Sequence, residues 1–432
     1  MDEYKKLAKK LISFKTVSAD PNSIGQCVKA VNFFSDFLKE AGFKTQIFEG
    51  YGNPIFFAEY IADPKFETCL IYGHYDVQPA SLDDGWKTEP FELTEKNEKL
   101  YGRGIMDDKG QLFVHMFTIA NLAKQKKLKY NIKFISEGNE EVGSGFIDKF
   151  IAEHKDLLSS DFIMISDGEL VANKPVIELG YRGVINATVT ITTSNNDLHS
   201  GNYGGASPSA AKEAARLISK LQNENNEITI SGFYDDVLEI DNNVKSEIDL
   251  EEYKKNTGTK ALTTEKGYDL YTQVGQRPSL EITGFQSGYV GEGYRNSIPG
   301  KAVIKFNFRL VKNQTPEKIV ELFKEFLKEN LPEFVDYVFE SEAANNPVRI
   351  DANNKYVLKA EKVLSEIFKT EVGHRYVGGS EPVVIYFADI LGKPQVLVPF
   401  ANEDGMMHGM NENFALFNIQ KQMEFSENYF SK

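Results

Sequence analysis

The segments GHYDVQP (Gly73–Pro79) and YGRGIMDDKG (Tyr101–Gly110) bring an imidazole and several carboxylates to places where the chain turns out of buried structure. His74 and Asp76 follow the apolar run Cys69-Leu70-Ile71-Tyr72, which reads as a buried strand ended by glycine. Asp107 and Asp108 stand between glycines, directly before an apolar helical segment. A histidine and carboxylates at strand ends suit one divalent metal, and two if further donors converge.

Further donors end strand-like runs in the same way. Ile132–Ser136 leads to Glu140 and Glu141, Phe162–Ser166 leads to Asp167, and Gln395–Pro399 leads to the loop holding His408. An aspartate can bridge two ions about 3.5–4 Å apart, and a free carboxylate nearby can take a proton from water. Taken singly, Asp76 and Asp167 read as cap or turn residues and Glu140-Glu141 as a solvated helix start. His115, beside Met116 and Phe117, reads as a packed histidine, His154 as a helix-end residue, and Trp86 as packing for a loop beside the site.

The elements that must position these groups alternate. Helical spacing over 2–14 and 27–40 precedes strands at 44–49, 55–61 and 67–72, then helix 110–124, strand 130–136, helix 144–154 and strands 161–166 and 175–180. This predicts an α/β domain with a mixed, largely parallel sheet, whose ligands bind beyond the carboxyl ends of the strands. From 183 the order becomes β-α-β-β-α-β (184–193, 207–222, 279–285, 302–310, 315–329, 334–341), an inserted α+β split βαβ unit. Residues 223–277 resist assignment. Helix 354–369, strand 394–399 and helix 415–429 resume the first domain, so the expected division is 1–182, 183–348 and 349–432.

At 432 residues two domains are expected, and the net charge of −14 argues against nucleic-acid or anionic-membrane partners. No apolar run approaches membrane-spanning length, and the N-terminus lacks a signal-peptide core, so a cytoplasmic protein is expected. Cys27 and Cys69 form no disulfide framework or cysteine metal motif.

In the order GHYDVQP, GWKTEPFEL, YGRGIMDDKG, SEGNEEVGS, ISDGE, LGYRG, DLHSGNYGG, NSIPGKA, GGSEP and DGMMHGMNE, the chain resembles one family from about residue 70 to 415. These are the di-zinc metallopeptidases that include carnosinase-like dipeptidases, glutamate carboxypeptidase, peptidase T, succinyl-diaminopimelate desuccinylase and aminoacylase. The likeness is greatest to the cytosolic dipeptidase and carnosinase branch. The resemblance implies a zinc-peptidase-like catalytic domain and a lid or dimerisation domain. It implies two divalent ions, zinc before manganese or cobalt, with His74, Asp107 and Asp167 on one and Asp107, Glu141 and His408 on the other. Asp76 would orient His74 and Glu140 would be the general base for attack by metal-activated water. A cis bond is implied at Asp107-Asp108. His199 would stabilise the oxyanion from the partner subunit of a homodimer, and Asn296, Arg309 and Ser380 would bind substrate. Arg309 is suited to a free carboxylate, so dipeptides or short peptides are implied, with N-acyl amino acids as the alternative. A metal-binding protein without catalysis is the reading from another class, and retention of Glu140 argues against it. The chain departs from the pattern at Asn296 (threonine in close dipeptidases), Ser207-Pro208 and Glu381; these touch side-chain preference, not the metal set.

Overall fold

The apolar run that precedes His74 becomes the strand Thr68–His74, buried from Cys69 onward. It pairs in parallel with Asn131–Glu137 on one side and Phe162–Ile165 on the other. Gln395–Leu397 then pairs in parallel with Phe162–Ile165. Antiparallel strands flank this core: Ile55–Tyr60 and Lys44–Phe48 at one side, Val176–Tyr181 at the other. Strands with two covered faces lose the polar alternation of a half-exposed sheet, and Asn131–Glu137 is buried at every residue. The helices Lys109–Lys124 and Leu416–Ser431 pack on each other, and Asp2–Ile12 and Lys355–Phe368 pack against this pair.

The computed structural model describes residues 1–171, 173–241 and 250–432. It divides into two units: Met1–Leu179, Ile350–Arg375 and Pro382–Lys432 form one, Gly180–Arg349 and Tyr376–Glu381 the other. The first unit has the mixed sheet expected of an α/β chain, parallel at its centre and antiparallel at its flanks. The second has a four-stranded antiparallel sheet in the order Ser279–Ser287, Lys301–Leu310, Gly183–Thr192, Asp336–Asn345. Its helices are Ala210–Ser219 and Pro316–Asn330. Strand Gly183–Thr192 alternates buried and partly exposed residues, which gives the sheet one apolar face for the helices. Phe323 is central to that core, with the rings of Phe306, Phe308, Phe326 and Phe339 around it.

Part of the unassigned 223–277 stretch is regular: Leu250–Thr257 is a helix and Thr272–Gln276 a π-helical turn. Residues 242–249 lie outside the described residues. A three-stranded sheet of Thr94–Lys96, Lys99–Tyr101 and Asn413–Ala415 was not expected from the sequence. It ties the chain before Asp107 to the chain after His408. Among the described residues no helix is long and apolar enough to cross a membrane.

Candidate metal centre

The carboxyl ends of the parallel strands open at one edge of the sheet, where α/β sheets place their ligands. His74 ends its strand and is fully buried. A Cβ at the preceding Gly73 would stand 2.4 Å from Asp108 Oδ2 and 2.9 Å from Leu112 Cβ. Glycine is required there because the Asp107-Asp108 loop packs directly on the strand. Asp108 Oδ2 accepts the His74 N–H at 3.2 Å, so this carboxylate serves the backbone. The Asp107-Asp108 bond is cis.

Asp107 lies between two imidazoles. Its Oδ1 is 2.9 Å from His74 Nε2 and its Oδ2 is 2.9 Å from His408 Nε2. Asp167 Oδ2 is 3.4 Å from His74 Nε2, and Glu141 Oε2 is 3.0 Å from His408 Nε2. The result is two overlapping triads, His74–Asp107–Asp167 and Asp107–Glu141–His408, each with donor atoms within 4.8 Å of one another. Glu140 Oε2 lies 4.0 Å from His74 Nε2, beside the triads.

Asp76 has more partners than the resemblance implies. His74 Nδ1 is 3.2 Å from its main-chain oxygen and 3.3 Å from its Oδ1. Its two carboxylate oxygens also accept the N–H groups of Glu140 at 3.2 Å and Glu141 at 3.0 Å. One buried carboxylate therefore orients an imidazole and the turn that carries both glutamates.

Burial and mutual charge set the protonation of the cluster. Burial pulls His74 down, but its bonds to Asp107, Asp167 and Asp76 overcome this and hold its pKa well above the usual value. His408 is pushed up to about 10 by its bonds to Asp107 and Glu141. Burial opposes ionisation of Asp107, yet the two imidazoles hold its carboxyl below the usual range. Burial raises Glu140 to about 8, against the pull of His74. Carboxylates packed this closely are stable only with positive charge among them. Two imidazoles and hard oxygen donors with a shared aspartate fit a pair of divalent cations.

Three residues at this site were missed in the sequence. Gln78 donates from Nε2 to Glu141 Oε2 at 2.7 Å and from its main-chain N–H to Oε1 at 3.1 Å. Arg103 and Glu412 form a buried ion pair of 2.8 Å. All three lie inside the motifs GHYDVQP, YGRGIMDDKG and DGMMHGMNE, so the signal was present but unassigned. His115 is a packed histidine, between Ser166 Oγ at 2.8 Å and Ser426 Oγ at 2.9 Å. Trp86 is buried, with the Arg103 guanidinium 5.4 Å from its ring centroid.

The remaining candidates belong to the second unit. His199 pairs with Ser297 in a short ladder, its Nδ1 accepts the Gly201 N–H at 3.0 Å, and the next N–H, of Ser200, bonds to Asn296 O at 3.0 Å. Arg309 donates from Nη1 to Ser380 Oγ at 3.3 Å, which joins two of the expected substrate residues. Arg182, a residue not foreseen, holds this loop: its N–H bonds to Gly379 O at 3.0 Å and its Nε to Gly378 O at 2.8 Å. Ser380 Oγ donates in turn to Arg182 O.

Residues 70–432 match the Peptidase family M20/M25/M40. The chain belongs to this family. It is 30% identical over 426 residues to a Beta-Ala-His dipeptidase of Mus musculus, covering 96% of this chain and 85% of that protein. It is 31% identical over 438 residues to a Cys-Gly metallodipeptidase of Candida albicans, covering 95% and 90%. Among solved structures, an M20 family metallo-carboxypeptidase from Sulfolobus solfataricus matches with a TM-score of 0.84 at 28% identity, covering 100% of this chain and 99% of that one. Membership makes the chain a hydrolase with the mixed α/β architecture of these peptidases.

Proposed function

We propose that the protein is a cytoplasmic, homodimeric, metal-dependent dipeptidase acting on dipeptides or short peptides with a free C-terminal carboxylate. The observation that carries this reading is the pair of triads sharing Asp107 with Glu140 beside them. His74, Asp107 and Asp167 would hold one divalent ion and Asp107, Glu141 and His408 a second, with zinc preferred over manganese or cobalt. When bound, such ions supply Lewis acidity that makes water nucleophilic near neutral pH and polarises the scissile carbonyl.

The chain's own groups complete the reaction. Glu140, kept ionised by the adjacent cations, takes the proton of the attacking water and returns it to the leaving amine. Asp76 keeps His74, Glu140 and Glu141 in place through one bond to each. Arg309 and Ser380 clasp the substrate carboxylate, supported by their 3.3 Å contact. His199, from the partner subunit, donates to the developing oxyanion, and Asn296 lines the same subsite. The dipeptidase relatives support the substrate class.

The test is a substrate panel on the metal-loaded protein: free dipeptides, their C-terminal amides, and N-acetyl amino acids. Free dipeptides should be cleaved, with amides at least tenfold poorer, and Arg309→Met should erase that difference. Hydrolysis of acetyl amino acids alone would refute the reading.

A further inference from the structure

Asp107 and His408 sit on loops remote in sequence, and one buried ion pair ties those loops together. Glu412 is fully buried. Its Oε1 accepts the N–H groups of Met106 at 2.9 Å and Asp107 at 3.3 Å. Its Oε2 accepts the Gly104 N–H at 2.9 Å and Arg103 Nη1 at 2.8 Å. Arg103 Nη2 donates to the main-chain oxygens of His408 at 3.2 Å and Gly409 at 3.0 Å. One end of the pair therefore grips the backbone of the Asp107 loop and the other grips the backbone at His408.

A buried ion pair is a weak device for stability, because apolar residues of equal volume hold loops as well without the desolvation cost. It does offer direction. His408 adopts φ of 57°, a left-handed conformation uncommon for residues with a side chain. Arg103 binds the carbonyls on that bend, and its planar fork gives one nitrogen to the carboxylate and another to both carbonyls, a spread that a point-like ammonium lacks. Trp86 covers its face.

We propose that the Arg103–Glu412 pair is a positioning device that sets His408 against Asp107 and so governs one of the two metal positions selectively. The position bounded by Asp107, Glu141 and His408 depends on it. The other also uses Asp107, but takes its remaining donors, His74 and Asp167, from the ends of parallel strands that Arg103 does not touch, so only the first position has two of its donors on the loops that the pair joins. The inference rests on the two-metal reading above and deepens it.

Calorimetric titration of the metal-free protein with Mn2+ separates the two ideas. A wild-type protein that does not bind two ions overturns the two-metal reading itself. Given two ions, Arg103→Lys should leave one of them within threefold and weaken the other about 10–100-fold, as loss of an orienting partner does. Combining Arg103→Lys with His408→Ala should add nothing to the loss seen in His408→Ala alone. Trp86→Leu, which removes the cover without touching the pair, should weaken the same single position by a smaller factor. Unchanged binding of both ions in Arg103→Lys, or equal weakening of both in either variant, would overturn the proposal, since a merely structural role lowers both alike.

Discussion

Replacing Asp76 with asparagine tests the link between backbone placement and metal affinity most directly. The two oxygens of Asp76 take the N–H groups of Glu140 and Glu141 at 3.2 and 3.0 Å, with His74 Nδ1 3.3 Å from the first of them. An asparagine keeps one oxygen. Its better orientation leaves that oxygen to Glu140 and His74 and turns the amide nitrogen toward the Glu141 N–H, donor against donor. A buried donor left without an acceptor costs about 1–3 kcal/mol, and bonds to a charged acceptor are each stronger than neutral ones. At about 1.4 kcal/mol per factor of ten, the loss expected in metal affinity is roughly 10–100-fold. Competition with a chromophoric chelator measures the affinity, and kcat/KM at saturating metal measures what remains when the ions are forced in. Because the Glu140 turn is itself displaced, kcat/KM should stay below wild type even then. If Asp76→Asn binds metal within threefold of wild type, the carboxylate is not what places the glutamate turn.

Gln78→Leu removes the 2.7 Å donor to Glu141 Oε2 but keeps the main-chain bond to Oε1, so chelator competition should show a smaller loss, about 1 kcal/mol or fivefold. Glu140→Gln should retain both ions by elemental analysis while lowering kcat by about 10²–10⁴-fold; retained turnover would exclude Glu140 as the base. Burial lowers His115 from 6.5 to about 3, so it is neutral when folded and charged when unfolded at intermediate pH. Its contribution is present above pH 6.5 and is lost as pH falls toward 3, at up to about 1.4 kcal/mol per unit; urea unfolding of wild type and His115→Asn should therefore converge on acidification. Phe323→Ala, at the centre of the second unit's ring cluster, should cost about 3–5 kcal/mol in denaturant unfolding.

The architecture was legible where side-chain period is strong. The buried runs around Ile132 and Phe162 and the β-α-β-β-α-β order after residue 183 appear as elements close to their expected bounds. The acids and histidines at the ends of those runs meet as the two triads because a parallel sheet delivers its strand ends to one edge. What escaped reading were contacts without a period. Thr94–Lys96, Lys99–Tyr101 and Asn413–Ala415 are three-residue strands, too short to show alternation. Arg103 and Glu412 pair across 309 residues, and a lone arginine or glutamate in a loop reads as a solvated charge. Gln78 carries no charge to draw notice, although its bonds aim Glu141.

Arg182 shows most clearly why such supporting residues are hard to read. In sequence LGYRG stands at the end of the strand-like run 175–180, and nothing in it gives the arginine a partner. In the fold Arg182 is drawn inward, and burial beside Arg309 lowers its pKa to about 10. Its Nη1 reaches Arg277 O and Ser279 Oγ, both at 3.3 Å, while its Nε and main-chain N–H hold Gly378 and Gly379. Tyr376–Glu381 belongs to the second unit although unit-one segments flank it in sequence. The Arg182 bonds account for that: they bind the Gly378–Ser380 loop to the strand region that begins the second unit. The Arg309–Ser380 contact is thereby built inside one unit, from residues on separate parts of the chain. Both guanidiniums bond to carbonyl and hydroxyl oxygens, and the charge of Glu281 acts on Arg182 against its burial. Two guanidiniums held in this way are the groups that the proposed binding of a substrate carboxylate would use.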